Sequence, residues 1–146
     1  MQLAFTYAKF VCSSLFNNQF LEENDVHINF QEIEIGKDGP SAGAAITSAL
    51  ISLALDTPMV QEIGMTGEIT LSGRVNPIGG VKEKTMGAKR EGVKALIFPE
   101  DNRKDVEDLE DMIKDGMTFY FASHYFEVME LVLNLKVEEG LRALPL

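Results

Sequence analysis

Apolar residues at Leu3, Tyr7, Phe10, Val11 and Leu15 keep helical spacing, so an amphipathic helix is predicted over residues 3–15. Asn17, Asn18 and the acidic cluster of Glu22, Glu23, Asn24 and Asp25 read as a loop with solvated charges. Val26, Ile28 and Phe30 then alternate with His27, Asn29 and Gln31, the period of a strand with one wet face, and His27 lies on that face. Residues 44–55 form a small-residue apolar run of helical length. Asp56-Thr57-Pro58 breaks it, and residues 59–69 are expected to be extended; Gly64, Gly67 and Gly73 there signal bulges or a close backbone approach. Asn76-Pro77-Ile78-Gly79-Gly80 is a second tight connection, feeding a helix over 81–91. A short buried strand over 94–99 ends at Pro99. A surface helix over 101–112 follows, with Val106, Leu109 and Ile113 on one face. Asp115-Gly116 turns the chain into a strand over 117–122, and Ser123 is expected to cap a last helix packed by Phe126, Met129, Leu131 and Val132. Strands alternating with helices after residue 58 predict an α/β layer arrangement, with connections short enough for mixed pairing.

Composition narrows the classes. A chain of 146 residues with 45% hydrophobic content is long enough for one domain with a proper core. Its net charge of −10 argues against a nucleic-acid or anionic-membrane partner, both of which require a basic face. The single cysteine, Cys12, excludes an internal disulfide and reads as a small buried hydrophobe. No apolar run reaches the roughly 18 residues of a membrane span, and no signal peptide opens the chain. Repeats and low-complexity tracts are lacking, so a soluble intracellular domain is expected.

Two residues draw attention for chemistry. Ser41 follows the turn formers Asp38, Gly39 and Pro40 at the mouth of the 44–55 helix, where it is either an N-cap or a nucleophile. On the 81–91 helix, Lys82, Glu83, Lys89 and Arg90 share one side, whereas Lys84 projects with Val81 and Ala88 onto the apolar stripe. A lysine there snorkels past the helix edge, pairs with a buried carboxylate, or gives up its proton and serves as a base. His27 is a surface or rim residue, or takes part in binding and proton handling; His124, at a helix start, reads as structural or capping. The chain has no phosphate-binding Gly-x-x-x-x-Gly-Lys-Ser/Thr segment, and Gly79-Gly80 lacks dinucleotide spacing. Two scattered histidines and one cysteine make no metal site of known spacing, and no local motif supports a Cys12/His27 or Cys12/His124 nucleophile pair.

Three stretches, Lys37-Asp38-Gly39-Pro40-Ser41-Ala42-Gly43, Met65-Thr66-Gly67-Glu68-Ile69-Thr70-Leu71 and Pro77-Ile78-Gly79-Gly80-Val81-Lys82-Glu83-Lys84, resemble in order and separation the signatures of the Lon protease proteolytic domain. The similarity continues through Ile97-Phe98-Pro99-Glu100-Asp101-Asn102 and covers roughly residues 3–135. The resemblance implies a serine peptidase fuelled by ATP, whose full subunits join an AAA+ motor to this domain and assemble as homo-hexameric rings acting on misfolded or regulatory polypeptides. Carried over by position, Ser41 is the nucleophile, Lys84 its general base, and Thr66 supplies a hydroxyl that orients the lysine. The helix start near Ser41 makes the backbone N–H of Ser41 or Ala42 a candidate oxyanion donor. Asp38 is expected to pair with Lys84 in an inactive arrangement of the loop, and His27 stands at the rim.

The fold so implied is a Lon-type domain over residues 1–146, with mixed strands and packed helices. It would lack the strands that normally precede the first helix and supply an acidic residue. Other departures are Asn29 where many members have a second histidine, Gly36 where they have proline, and the segment 31–35. No cofactor or metal is expected in this chain; ATP and Mg belong to the absent motor. Neither nucleic acid nor membrane is expected as a partner. Residues 82–90 look nearer to mitochondrial members, which favours the matrix over a bacterial cytoplasm. The alternative is a silent assembly module of the same fold, which would require Ser41 or Lys84 to be disabled; both are present.

Overall fold

The computed structural model describes residues 1–29 and 40–138. Helix α1 spans Gln2–Phe16 and buries Ala4, Tyr7, Ala8, Val11 and Cys12, an i, i+3, i+4, i+7, i+8 stripe. The expected Tyr7 and Val11 are buried together with the small residues Ala4, Ala8 and Cys12, whereas Leu3 stays 49% exposed. α1 packs along α3 (Gly43–Ala54). Asn17 ends α1 in the left-handed conformation, φ 48°. Asn18 then ties the two helices at one end, its Nδ2 donating to Ala54 O at 2.9 Å. The same side chain accepts from Phe20 N at 2.9 Å. With Leu21 buried, this turns the expected loop into one helical turn, α2 (Phe20–Glu23).

Residues 26–29 do not form the expected strand; Phe30 and Gln31 lie outside the described residues. The alternation itself holds, with Val26 and Ile28 half-buried and His27 and Asn29 exposed. A period of two decides which side chains face the protein, but a ladder also needs a neighbour, and none pairs there among the described residues.

Within the expected extended stretch 59–69 only β1 (Ile63–Met65) and β2 (Glu68–Ile69) are strands. β2 pairs antiparallel with β3 (Val75–Asn76). Helix α4 (Val81–Arg90) leads to β4 (Ala95–Pro99). The single surface helix expected over 101–112 is instead a 3-10 turn (Glu100–Asn102), α5 (Arg103–Glu107) and α6 (Asp111–Lys114). Glu110 leaves helical geometry at ψ 140°, and its carbonyl takes the amides of Ile113 and Lys114 at 2.9 and 3.2 Å, which restarts the helix. Strand β5 (Thr118–Ala122) precedes α7 (Tyr125–Leu133). The cap of α7 is His124, not Ser123: its backbone is extended and its Nδ1 accepts from Phe126 N at 3.2 Å. Ser123 N instead donates to Glu127 Oε2 at 2.9 Å.

Strands β1, β4 and β5 form a parallel sheet in the order β1-β4-β5. β4 divides the interior: Ile97 faces the core of α1, α3 and α7, while Leu96 and Phe98 face Val81 and Val106 of α4 and α5. The result is the predicted α/β layering. At the centre of the larger core, Tyr7 and Tyr125 meet edge to face at 5.6 Å, and Tyr125 OH bonds Ser48 Oγ at 3.0 Å. Among the described residues, no helix is long and apolar enough to cross a membrane.

Candidate active site

Ser41 sits in a 3-10 turn (Pro40–Ala42) that opens into α3. It does not cap the helix: the N-cap is Ala42, and no side chain closes that end. Among the described residues Ser41 Oγ has no hydrogen-bond partner, so the ordinary use of a serine at this place is not made. What holds the residue is its carbonyl, which accepts from Gly67 N at 2.8 Å and from Thr66 Oγ1 at 3.2 Å. Ala44 N returns a bond to Gly67 O at 3.0 Å. Two backbone bonds and one hydroxyl therefore stitch the serine turn to the residues that leave β1. The approach is close enough to need glycine, because a Cβ at Gly43 would lie 2.9 Å from Ile69 N and 3.2 Å from Gly67 O.

Thr66 is buried, and its amide donates to Ile97 O at 3.1 Å, which anchors it to β4. Its hydroxyl goes to the serine backbone, and no hydrogen bond joins it to Lys84 among the described residues. Downstream of Gly67, Glu68 pairs with Asn76, so β2 and β3 carry the chain from the serine's clamp to the Pro77–Gly80 loop.

That loop starts α4. Gly80 is its N-cap in the left-handed conformation, φ 71°, which a residue with a side chain would adopt only under strain. Lys84 lies in the first turns, half-buried at the edge of a narrow stripe in which only Val81 and Thr85 are buried. Its Nζ curls back to donate to Gly79 O at 3.1 Å. Among the described residues it forms no ion pair, which leaves the buried-carboxylate reading without a partner. The amine is thus not enclosed by apolar neighbours as the stripe predicts; it is held by a carbonyl of its own N-terminal loop.

His27 and Ala42 meet at a groove of about 450 Å³ whose other walls include Val26, Ile46, Leu50 and Leu53. The groove is mainly apolar and begins one residue beyond Ser41. Asp38 and Gly36 lie outside the described residues. His124 lies apart from this groove, its Nε2 bonded to Ser72 O at 3.0 Å. Cys12 is fully buried, and burial pushes its thiol up to about 11, so it is no candidate nucleophile. Among the described residues no three His, Cys, Asp or Glu side chains gather to hold a metal.

One residue that the hydrophobic pattern passes over is Asn102. It is 2% exposed and bonds both backbone groups of Ile78, N–H to Oδ1 at 2.9 Å and Nδ2–H to C=O at 3.0 Å. An asparagine after Pro99, Glu100 and Asp101 looks like ordinary turn chemistry, and only its burial marks it out.

Residues 1–135 match the family described as the Lon protease (S16) C-terminal proteolytic domain. The chain is 52% identical over 112 residues to a Lon protease of Protochlamydia amoebophila, an alignment covering 77% of this chain and 13% of that protein. It is 48% identical over 134 residues to the mitochondrial Lon protease homolog of Drosophila melanogaster, covering 91% of this chain and 13% of the relative. Against Lon protease 1 of Bacillus subtilis the identity is 47% over 133 residues, or 90% of this chain and 17% of the relative. The matched part therefore spans less than a fifth of each of these relatives.

Proposed function

Because the chain belongs to the Lon protease C-terminal proteolytic-domain family, a family of peptidases, we propose that it hydrolyses peptide bonds with Ser41 as nucleophile and Lys84 as general base. The observation that carries the reading is a serine relieved of capping, with its carbonyl fixed by Thr66 and Gly67 and its hydroxyl unclaimed among the described residues. A serine hydroxyl attacks an amide only when a base takes its proton, and a neutral lysine amine can do this in place of histidine.

In the cycle, Lys84 Nζ accepts the Ser41 proton as Oγ bonds to the scissile carbonyl carbon. The N–H of Ser41 or Ala42, at the positive end of α3, faces the developing oxyanion. Collapse expels the amine product, which takes the proton from Lys84. Water then enters and loses a proton to Lys84 Nζ as its oxygen attacks the ester carbon; collapse breaks the ester, releases the acid product and returns that proton from Lys84 to Ser41 Oγ. Thr66 contributes by fixing the serine's backbone, His27 by lining the groove beside Ala42, and Asp38 by holding Lys84 in the resting loop.

The substrates are polypeptides, misfolded or regulatory. In a longer subunit, ATP with Mg would be held by a motor domain and not by the residues of this chain, and the assembly would be a hexameric ring. Relatives named as mitochondrial and relatives from bacteria both support an intracellular setting, and residues 82–90 favour the mitochondrial matrix. The test is Ser41→Ala and Lys84→Gln in the intact protein: Ser41→Ala should abolish cleavage of a fluorogenic peptide and Lys84→Gln should reduce it to a slow residual rate, while ATP hydrolysis and ring assembly persist. Cleavage at the normal rate by either variant overturns the reading.

A further inference from the structure

The loop that receives the Lys84 amine has little of its own to hold it in place. Gly79 supplies the accepting carbonyl and Gly80 the left-handed cap, and neither has a side chain to pack; a Cβ placed at Gly79 would meet nothing within 4 Å. Asn102 provides the brace from outside. Its carboxamide reaches from the 3-10 turn after β4 and bonds both the N–H and the C=O of Ile78, 24 residues away in sequence, at 2.9 and 3.0 Å. A third bond, Nδ2 to Asp105 Oδ2 at 2.8 Å, fixes which way the amide points, because a carboxylate can only accept. With its two backbone groups both tied, Ile78 fixes the peptide planes on either side of it. The next carbonyl along the chain is the one that Lys84 Nζ uses.

We infer that Asn102 is a positioning residue for the Lys84 amine, acting through Ile78 and the Gly79 carbonyl. The inference rests on the assignment of Lys84 as base. Asn102→Ala deletes all three bonds. Asn102→Asp keeps the size but sets an oxygen against Ile78 O and the Asp105 carboxylate. Asp105 is exposed, so Asp105→Ala removes only the third bond and leaves the fold intact.

The experiment measures peptide hydrolysis, thermal unfolding and amide exchange of residues 76–80 in the intact protein, with and without Lys84→Gln. Asn102→Ala and Asn102→Asp should lower kcat about 10- to 100-fold, the scale of a misplaced catalytic group, with KM within about twofold. Exchange at Ile78 and Gly79 should quicken, and Asp105→Ala should cost kcat about two- to fivefold. In the Lys84→Gln background, the same Asn102 changes should lower the residual rate by less than about twofold, since a residue acting through Lys84 has nothing left to position. An unchanged kcat, or an equal loss in both backgrounds, overturns the inference while leaving the base assignment in place. Should an Asn102 variant fail to fold, an unaltered kcat in Asp105→Ala overturns it. Cleavage by Lys84→Gln at the normal rate removes the base assignment and the inference with it.

Discussion

Gly43→Ala adds a single methyl group at the point where the serine turn meets the sheet. In an ordinary helix the change would stabilise by about 0.5–1 kcal/mol. Here the new Cβ would lie 2.9 Å from Ile69 N and 3.2 Å from Gly67 O, and both are backbone atoms that cannot rotate away. Relieving the overlap must move the start of α3 away from residues 67–69, and overpacking of this kind costs about 1–3 kcal/mol. The same movement stretches Gly67 N to Ser41 O and Ala44 N to Gly67 O, now 2.8 and 3.0 Å, each worth about 1 kcal/mol. A net destabilisation of about 1–3 kcal/mol should follow, read as a lower denaturant midpoint at unchanged slope. Because the displaced group is the nucleophile's own backbone, kcat should fall by about tenfold or more in molecules that remain folded. A variant as stable as the parent and fully active would refute the stitched-turn reasoning.

Two further outcomes follow from other parts of the structure. Thr66→Val keeps the shape but removes the hydroxyl bond to Ser41 O, so a loss of about 1 kcal/mol in stability and a lower kcat are expected, both restored by Thr66→Ser. A Thr66→Val protein matching the parent in both would show that the bond carries nothing. Burial raises the Cys12 thiol from 9.0 to about 11, and pushes the Tyr7 and Tyr125 phenols well above their usual range. Above pH 9 the unfolded chain releases the Cys12 proton while the native chain keeps it until about 11. Unfolding free energy should therefore fall between these values, and still further at higher pH through the tyrosines. Denaturant titrations at rising pH measure this decline; between pH 9 and 10 the slope should flatten in Cys12→Ala, and a slope of opposite sign contradicts the assignment.

The long periodic elements were legible in the sequence: α1, α3, α4, α7, β4 and β5 all fall close to where the hydrophobic spacing puts them. The period of α1 picked out Tyr7 and Val11, which are buried, but passed over Ala4 and Ala8 beside them because it weighted large side chains. Short elements escaped for a different reason. α2 depends on the Asn18 side chain and the break before α6 on Glu110; the capping role read for His124 holds, while the one expected of Ser123 does not. Ser41 and Lys84 stood out by their positions, and the resemblance gave them roles. The bonds that hold them were hidden, since Thr66, Gly67 and Asn102 all act on backbone groups remote in sequence, which no pattern of side chains encodes.

A peptidyl fluorophosphonate, which forms a stable bond only with an activated serine, followed by mass-spectrometric location of the adduct, decides whether Ser41 is the nucleophile. The adduct should fall on Ser41, should not form in Ser41→Ala, and should form far more slowly in Lys84→Gln. Modification of a different serine, or labelling of Ser41 at an unchanged rate without Lys84, would contradict the Ser41/Lys84 chemistry.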